Sequence, residues 1–325
     1  MRAAMRDRYG GPDVVELRDV ERPVPAGDQV LVRVVAASIN RADLDVLHAK
    51  PALTRLYLGI RRPRNPRLGS DVAGVVEEVG PGVARFRPGD EVFGDLFVHG
   101  QGSFADLVCA RERAFLPVPA GMPLEHAATL PHAAILAIQA LRVGGRTVGP
   151  GSRVLIDGAS GNVGPFAVQI AKARGAEVTG VASTAKLDAV RALGADHVLD
   201  YTTVDYTRTG ERYDWIVDTD SHHPVLAVRL ALTPRGVYVT LGGSGADVLG
   251  GLVLGALITL AGRRRMGLLL GWKPFAADDV AALAELYQAG RLMPLIDRRY
   301  PLGEIVEALR HVDERRGAGK VVVTP

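Results

Sequence analysis

The feature that most constrains this chain is a glycine-rich turn, Ile156-Asp157-Gly158-Ala159-Ser160-Gly161-Asn162-Val163-Gly164. The run before it, residues 153–157 (RVLID), reads as a buried strand. Residues 164–174, apolar at Phe166, Val168, Ile170 and Ala171, read as a helix. Pro165 suits the start of that helix, whose first turn needs no N–H donor from it. Strand, glycine turn and helix together form the context of a dinucleotide fingerprint, with Ala159 standing at its first glycine. Gly161 lets the backbone approach a pyrophosphate and Gly164 lets the helix pack on the sheet, while the helix N-terminus supplies free N–H groups and a positive dipole end. Ser160, Gly161, Asn162, Val163 and Gly164 are therefore candidate cofactor contacts. Further strands are expected at 177–182, 197–201, 213–219 and 236–242, with a helix over 186–193. That alternation builds right-handed βαβ units and a doubly wound parallel sheet.

The first part of the chain has another rhythm. Residues 1–119 carry short β-branched runs such as QVLVRVVAASI (29–39) and DVAGVVEEV (71–79), broken by turns such as Arg87-Pro88-Gly89-Asp90. This predicts an all-β, barrel-like unit. The C-terminal part adds helices over 278–289 and 302–312 and a strand over 320–323. The expected division is a catalytic domain of residues 1–122 with 274–325, and a cofactor domain of residues 123–273.

Composition narrows the partners. With 47% hydrophobic and 23% charged residues the chain is an ordinary globular one, and a net charge of +3 over 325 residues indicates no dominant polyanion. Arg263-Arg264-Arg265 is the only compact basic run and has no interleaved aromatics, so no nucleic-acid partner is expected. The lone Cys109 excludes an internal disulfide framework and a Cys-rich zinc lobe. The start, MRAAMRDRYGG, lacks the apolar core of a signal peptide, which predicts a cytoplasmic location. Residues 248–262 carry no charge, yet are fewer than the ~20 needed to span a bilayer. They are expected to be buried or pocket-lining, with no membrane partner.

Cofactor choice is legible after the second strand of the α/β part. A site for NAD places a carboxylate there, about 20 residues past the glycines, on the ribose hydroxyls. Residues 180–186 (GVASTAK) instead offer Ser183, Thr184 and Lys186, two hydroxyls and a cation suited to the 2′-phosphate of NADPH.

Several segments carry a family resemblance: Gly69-Ser70-Asp71-Val72-Ala73-Gly74, Arg87-Pro88-Gly89-Asp90-Glu91-Val92-Phe93-Gly94, the glycine turn, Leu193-Gly194-Ala195-Asp196-His197, Asp200-Tyr201-Thr202, Ile296-Asp297-Arg298-Arg299-Tyr300-Pro301 and Gly319-Lys320-Val321-Val322. By these the chain resembles the medium-chain dehydrogenases/reductases, specifically their zinc-independent quinone oxidoreductase branch. The resemblance implies a GroES-like β-barrel catalytic domain, a Rossmann NADP-binding domain and a homodimer. It also extends the cofactor contacts to Tyr201, Leu241, Gly242, Gly243 and Lys320. Where zinc-dependent members carry a cysteine and a histidine ligand, this chain carries Asn40 and Ser70, and Ala42 stands at their proton-relay hydroxyl. Zinc held at a catalytic site needs three protein ligands, chiefly thiolate and imidazole, so no metal is expected. The eight histidines, His126, His132, His222 and His223 among them, read as ordinary surface or core residues.

A dry cleft without a Lewis acid suits hydride delivery from NADPH to an activated C=C or a quinone, a small-molecule substrate. The resemblance places residues 40–43 at the nicotinamide and makes Asn40 the candidate for orienting carbonyl or cofactor. Asp43 is read equally as catalytic or as the acid of a helix start, and Tyr57 as a proton donor or as an apolar lid residue. Two positions depart from the family: Leu136 where Thr is usual, and Thr219-Asp220 where Val-Gly follows the fourth strand. Two alternatives stay open. One is a stand-alone enoyl-thioester reductase, with Arg61, Arg62, Arg64 and Arg67 for a phosphopantetheine arm; the other is a non-catalytic NADPH-binding protein.

Overall fold

The computed structural model describes residues 1–243, 245–269 and 271–325, the side chains of 245–249 excepted. The chain divides into two units, residues 1–133 with 294–325, and residues 134–293.

In the first unit the strand Gln29–Ile39 organises everything else. Its 11 residues are long enough to carry two partners on one edge. Leu107–Arg111 pairs antiparallel with its first half and Lys320–Thr324 with its last, while Asp71–Val79 takes the other edge. Glu91–Asp95, Phe115–Pro117 and Ile296–Pro301 complete a seven-stranded sheet. Alternating valines explain the strands: Val30, Val32 and Val34 bury into one core with Val72, Val76 and Val92. The helix Arg41–His48 closes that core with Leu44 and Leu47, and the helix Ile305–Asp313 with Ile305 and Leu309. This is the expected all-β unit, with its C-terminal strand supplied from the far end of the chain.

The second unit is a six-stranded, wholly parallel sheet. Its order is His197–Asp200, Glu177–Ala182, Arg153–Asp157, Tyr213–Asp218, Leu232–Thr240, Arg265–Leu268. The chain runs outward over the first three strands in sequence, then returns to the other side of Arg153–Asp157. The order therefore reverses between Arg153–Asp157 and Tyr213–Asp218, and such a reversal opens the crevice where ligands of these sheets bind. The five expected strands are present. A sixth, Arg265–Leu268, was hidden by its shortness and by the arginines beside it.

Two expectations need correction. The units meet at 133/134 and 293/294 instead of 122/123 and 273/274. The helix Ala277–Gln288 belongs with the parallel sheet because its buried Asp279 accepts hydrogen bonds from Gln139 Nε2 at 2.9 Å and Arg142 Nη2 at 2.9 Å. The apolar stretch 248–262 lies, but for its last residue, in a helix, Gly245–Ala261, that is not buried all round. Its small residues face the sheet, since a Cβ on Gly255 would stand 2.7 Å from the Met266 carbonyl oxygen. Val253, Leu254, Leu257 and Leu260 consequently face solvent.

Candidate functional site

Sheet register assembles a polar cluster inside the first unit. Ser38 pairs with Asp71 and Asp71 with Asp95, so the three share one row on one face. All three are buried. Ser38 Oγ donates to Asp71 Oδ2 at 2.9 Å. On the neighbouring strand Val321 pairs with Ile39, which brings Lys320 beside Asn40. The buried Lys320 ammonium donates to Asn40 Oδ1 at 2.5 Å and lies 3.3 Å from Asp71 Oδ2.

From Lys320 the hydrogen bonds run in one direction. An ammonium only donates, so Asn40 turns its oxygen to Lys320 and its Nδ2 to Ser70 Oγ, 3.3 Å away. Ser70 Oγ in turn donates to Asp43 Oδ1 at 3.0 Å, and the Asn40 backbone N–H donates to Asp43 Oδ2 at 2.7 Å. The last bond belongs to a capping box at the start of the helix Arg41–His48. The relay thus ends on a carboxyl, and burial pushes Asp43 up to about 7. Burial raises Asp71 as well, against the pull of Lys320, and lowers Lys320.

A second branch comes from His132. Its Nδ1 lies 2.9 Å from Asp95 Oδ2, its backbone N–H donates to Asp71 Oδ1 at 3.1 Å, and its ring tilts against Phe97 at 5.4 Å. Burial disfavours the imidazolium, but Asp95, Asp71 and Asp43 outweigh it and the His132 pKa rises. With His132 and Lys320 charged, two carboxylates are balanced, and a proton on Asp43 makes the cluster neutral. Sequence spacing offers no reason to single out His132 or Asp95; only the fold, which sets the turn before the helix Ala133–Ala140 against the strand Glu91–Asp95, joins them. Tyr57 stands apart from these bonds, exposed on a short helical turn, and Lys320, expected on the cofactor, has its ammonium taken up by Asn40 and Asp71.

The second unit holds the glycine turn at the C-terminal end of Arg153–Asp157, where the strand order reverses. The turn is a cradle that side chains would fill: a Cβ on Gly164 would sit 2.2 Å from the Gly158 carbonyl oxygen, and Gly158 adopts φ +78°. Ala159 in place of the usual glycine is accommodated because the adjacent strand has Gly180, whose added Cβ would approach Ala159 Cβ to 3.1 Å. Gly161 remains exposed at the mouth. These features fit a dinucleotide pyrophosphate. Ser183, Thr184 and Lys186 follow the second strand as expected, and Tyr201 is exposed nearby in sequence after the third.

An acid does stand at that end, supplied by the neighbouring strand. Asp200 pairs with Ala182, and its carboxylate accepts hydrogen bonds from Thr184 Oγ1 and from Thr202 N and Oγ1, which hold it below the usual carboxylate range. Behind the turn, Asp157 and Asp218 lie in register; burial, then Asp218, pushes Asp157 up to about 8. Tyr238 Oη donates to Asp218 Oδ2 at 2.9 Å, and the Asp220 N–H caps Asp218 Oδ1 at 3.1 Å. Leu241 continues from the fifth strand with its N–H on the Asp218 carbonyl at 2.9 Å, and Gly243, at φ +139°, bridges to Ser221 beside Gly242.

Residues 26–120 match the alcohol dehydrogenase GroES-like domain family, and residues 193–323 match the zinc-binding dehydrogenase family. The chain is 30% identical over 334 residues to the chloroplast envelope quinone oxidoreductase homolog of Arabidopsis thaliana, covering 100% of this chain and 98% of the relative. It belongs to the medium-chain dehydrogenase/reductase superfamily, in its quinone oxidoreductase-like branch. It is also 30% identical over 336 residues to the 2-methylene-furan-3-one reductase of Solanum lycopersicum, covering 100% of this chain and 79% of that protein. The quinone oxidoreductase of Coxiella burnetii superposes with a TM-score of 0.87 at 27% identity, over 100% of this chain and 99% of that one. In this dehydrogenase/reductase chain no group of three His, Cys, Asp or Glu side chains is placed to hold a metal ion among the described residues.

The Asp43 site generates a pH prediction. A carboxyl whose folded pKa of about 7 exceeds its unfolded value of 3.8 binds its proton more tightly in the fold. Stability from this group is therefore greatest below about pH 4, declines as pH rises to about 7, and is level above that. Asp43→Asn should reduce, without abolishing, the difference in urea midpoint between about pH 5 and about pH 8, since Asp157 titrates over the same window. An unchanged difference would show that Asp43 is ionised throughout.

Proposed function

We propose that this oxidoreductase is a zinc-independent, NADPH-dependent reductase that adds hydride and a proton across the activated C=C of an enone or to a quinone. The observation that carries the reading is the relay Lys320–Asn40–Ser70–Asp43, in which amide and hydroxyl replace the thiolate and imidazole of zinc-dependent relatives. A dinucleotide bound on the glycine turn supplies the hydride. The chain's own groups have the remaining tasks. Lys320 fixes the Asn40 amide, whose Nδ2 faces Ser70 and Asp71 and would orient an acceptor oxygen by exchanging one of those partners for it. Asp43, pushed up to about 7 by burial, and His132, raised by its carboxylate neighbours, store the proton that the reduced substrate takes up. Lys320 also puts a positive charge where a divalent ion would otherwise be stabilised, which supports the metal-free reading.

NADPH is preferred on the strength of Ser183 and Lys186, since the one hydroxyl proton of Thr184 is already given to Asp200. Asp200 opposes it, but Thr184 and Thr202 occupy that carboxylate. A homodimer through the parallel sheet is supported by the free outer edge of Arg265–Leu268 and by the exposed Leu226, Leu230, Leu257 and Leu260.

Three outcomes are expected. In a fluorescence titration NADPH binds at least about tenfold tighter than NADH, and Lys186→Ala removes most of the gap; equal affinities would overturn the cofactor assignment. Asn40→Ala lowers turnover of enones or quinones by roughly 10–1000-fold while NADPH binding stays within about twofold, and chelators leave wild-type turnover untouched. Unchanged turnover in that variant would place the reacting centre elsewhere. Light scattering at micromolar concentration should give twice the chain mass, and Leu257→Glu should shift it toward one; a monomeric wild type would refute the assembly.

A further inference from the structure

One surface of the first unit inverts the usual distribution of side chains. Leu53, Leu56, Tyr57 and Ile60, spread over a short helical turn, the helix after it and the residue beyond its Gly59 cap, are 74%, 64%, 65% and 68% exposed. They are not on a loose loop. The turn Ala52–Thr54 runs into the helix Arg55–Leu58, the Arg64 N–H returns to the Leu58 carbonyl at 2.8 Å, and Pro63 is buried. Tyr9 Oη donates to the Gly59 carbonyl at 2.7 Å, and the Arg55 guanidinium lies over the Tyr9 ring at 5.1 Å. A Cβ on Gly59 would meet the Arg62 carbonyl oxygen at 2.1 Å, so the platform is closed tightly on itself.

Charge along the segment that carries the platform has one sign. Between Asp45 and Asp71 the chain has Lys50, Arg55, Arg61, Arg62, Arg64 and Arg67 and no acid. Six positive charges within a chain of net +3 leave the remainder net acidic. Among the described residues none of the five arginines has a carboxylate within 4.0 Å, and Asp7, close enough to Arg62 to feel its charge, is bonded to Arg18 at 2.6 Å.

We propose that this platform docks the protein onto a bilayer surface that contains anionic lipids. Apolar side chains enter the interface while the arginines meet headgroup phosphates, the two contributions that hold peripheral amphipathic segments. A soluble phosphopantetheine arm would satisfy the arginines but leave four bulky apolar side chains in water, so the bilayer accounts for both halves of the surface. The expectation of no membrane partner rested on the absence of a spanning segment. Among the described residues no helix is long and apolar enough to cross a membrane, and lateral adsorption needs none. The surface stands independently of the reductase reading; only its benefit, drawing lipid-soluble quinones from the bilayer, rests on that reading.

The test is co-sedimentation of the full chain, without cofactor or substrate, with vesicles of phosphatidylcholine alone or mixed with phosphatidylglycerol. Binding is expected to the mixed vesicles only, weakening with added salt. Arg61→Glu with Arg62→Glu lowers the partition coefficient by on the order of tenfold or more. Leu56→Ser with Ile60→Ser weakens binding by a similar factor and makes the remainder fully salt-sensitive. An unchanged NADPH titration certifies that the variants are folded. Equal sedimentation with both vesicle types, or no loss in the arginine variant, overturns the proposal. So does binding of coenzyme A thioesters that the same arginine substitutions abolish, in the absence of vesicle binding. Failure of quinone reduction leaves the vesicle result standing and tells against the reductase reading alone.

Discussion

Burying an ammonium, an imidazole and three carboxyls in one β-unit is possible here only because sheet register makes them neutralise one another. Ser38, Asp71 and Asp95 share a row across three strands, and the last strand of the chain brings Lys320 against Asn40. Isolated, each charge would cost several kcal/mol to bury. Together, with a proton on Asp43, they form a neutral cluster whose donors and acceptors alternate. The C-terminal strand is therefore more than a member of the sheet, since Lys320 sets the direction of the side-chain bonds from Asn40 through Ser70 to Asp43. Removing one partner of such a cluster harms the others more than replacing the whole set would.

The second unit meets a different constraint, backbone proximity. The fingerprint tolerates Ala159 because Gly180 in the adjacent strand supplies the missing volume, and Gly164 keeps the turn against Gly158. Asp157 and Asp218 then lie side by side at the reversal of strand order, where burial keeps Asp157 largely protonated near neutrality. An anionic dinucleotide is better tolerated above a protonated acid than above a carboxylate. This offsets the acid at Asp220, which the sequence marks as a departure and whose backbone N–H caps Asp218.

What the sequence made legible follows from range. Period-2 valine runs and the alternation of strand and helix are local, so both units and the glycine turn could be read, as could Asn40 and Asp43 through family motifs. The helix Ala277–Gln288 was put in the wrong unit because its attachment, Asp279 to Gln139 and Arg142, spans 140 and 137 residues. His132 was passed over since its partner lies 37 residues away, on the strand Glu91–Asp95. Asp200 escaped notice for the same reason: the search for a ribose acid followed the second strand, while register brings one from the third. The exposed face of Gly245–Ala261 was misjudged because composition gives hydrophobicity without saying which side small residues occupy.

The chain breaks the ordinary rule of polar outside and apolar inside in two places, in opposite senses. Inside the first unit a polar cluster replaces core; on its surface Leu53, Leu56, Tyr57 and Ile60 stand in water, in a segment whose only charges are positive. Both lie outside the valine-rich core. The cluster fixes five ionisable groups in a single arrangement, and the tightly closed turn at Gly59 holds four apolar side chains outward that a looser loop would fold back onto the protein. Rigid support for an unfavourable exposure is what separates a built surface from an accident of sequence. The hydrogen bonds from Tyr9 and Arg64 supply that support, so the apolar platform and the buried relay are both consequences of backbone held in place by side chains and carbonyls far along the chain.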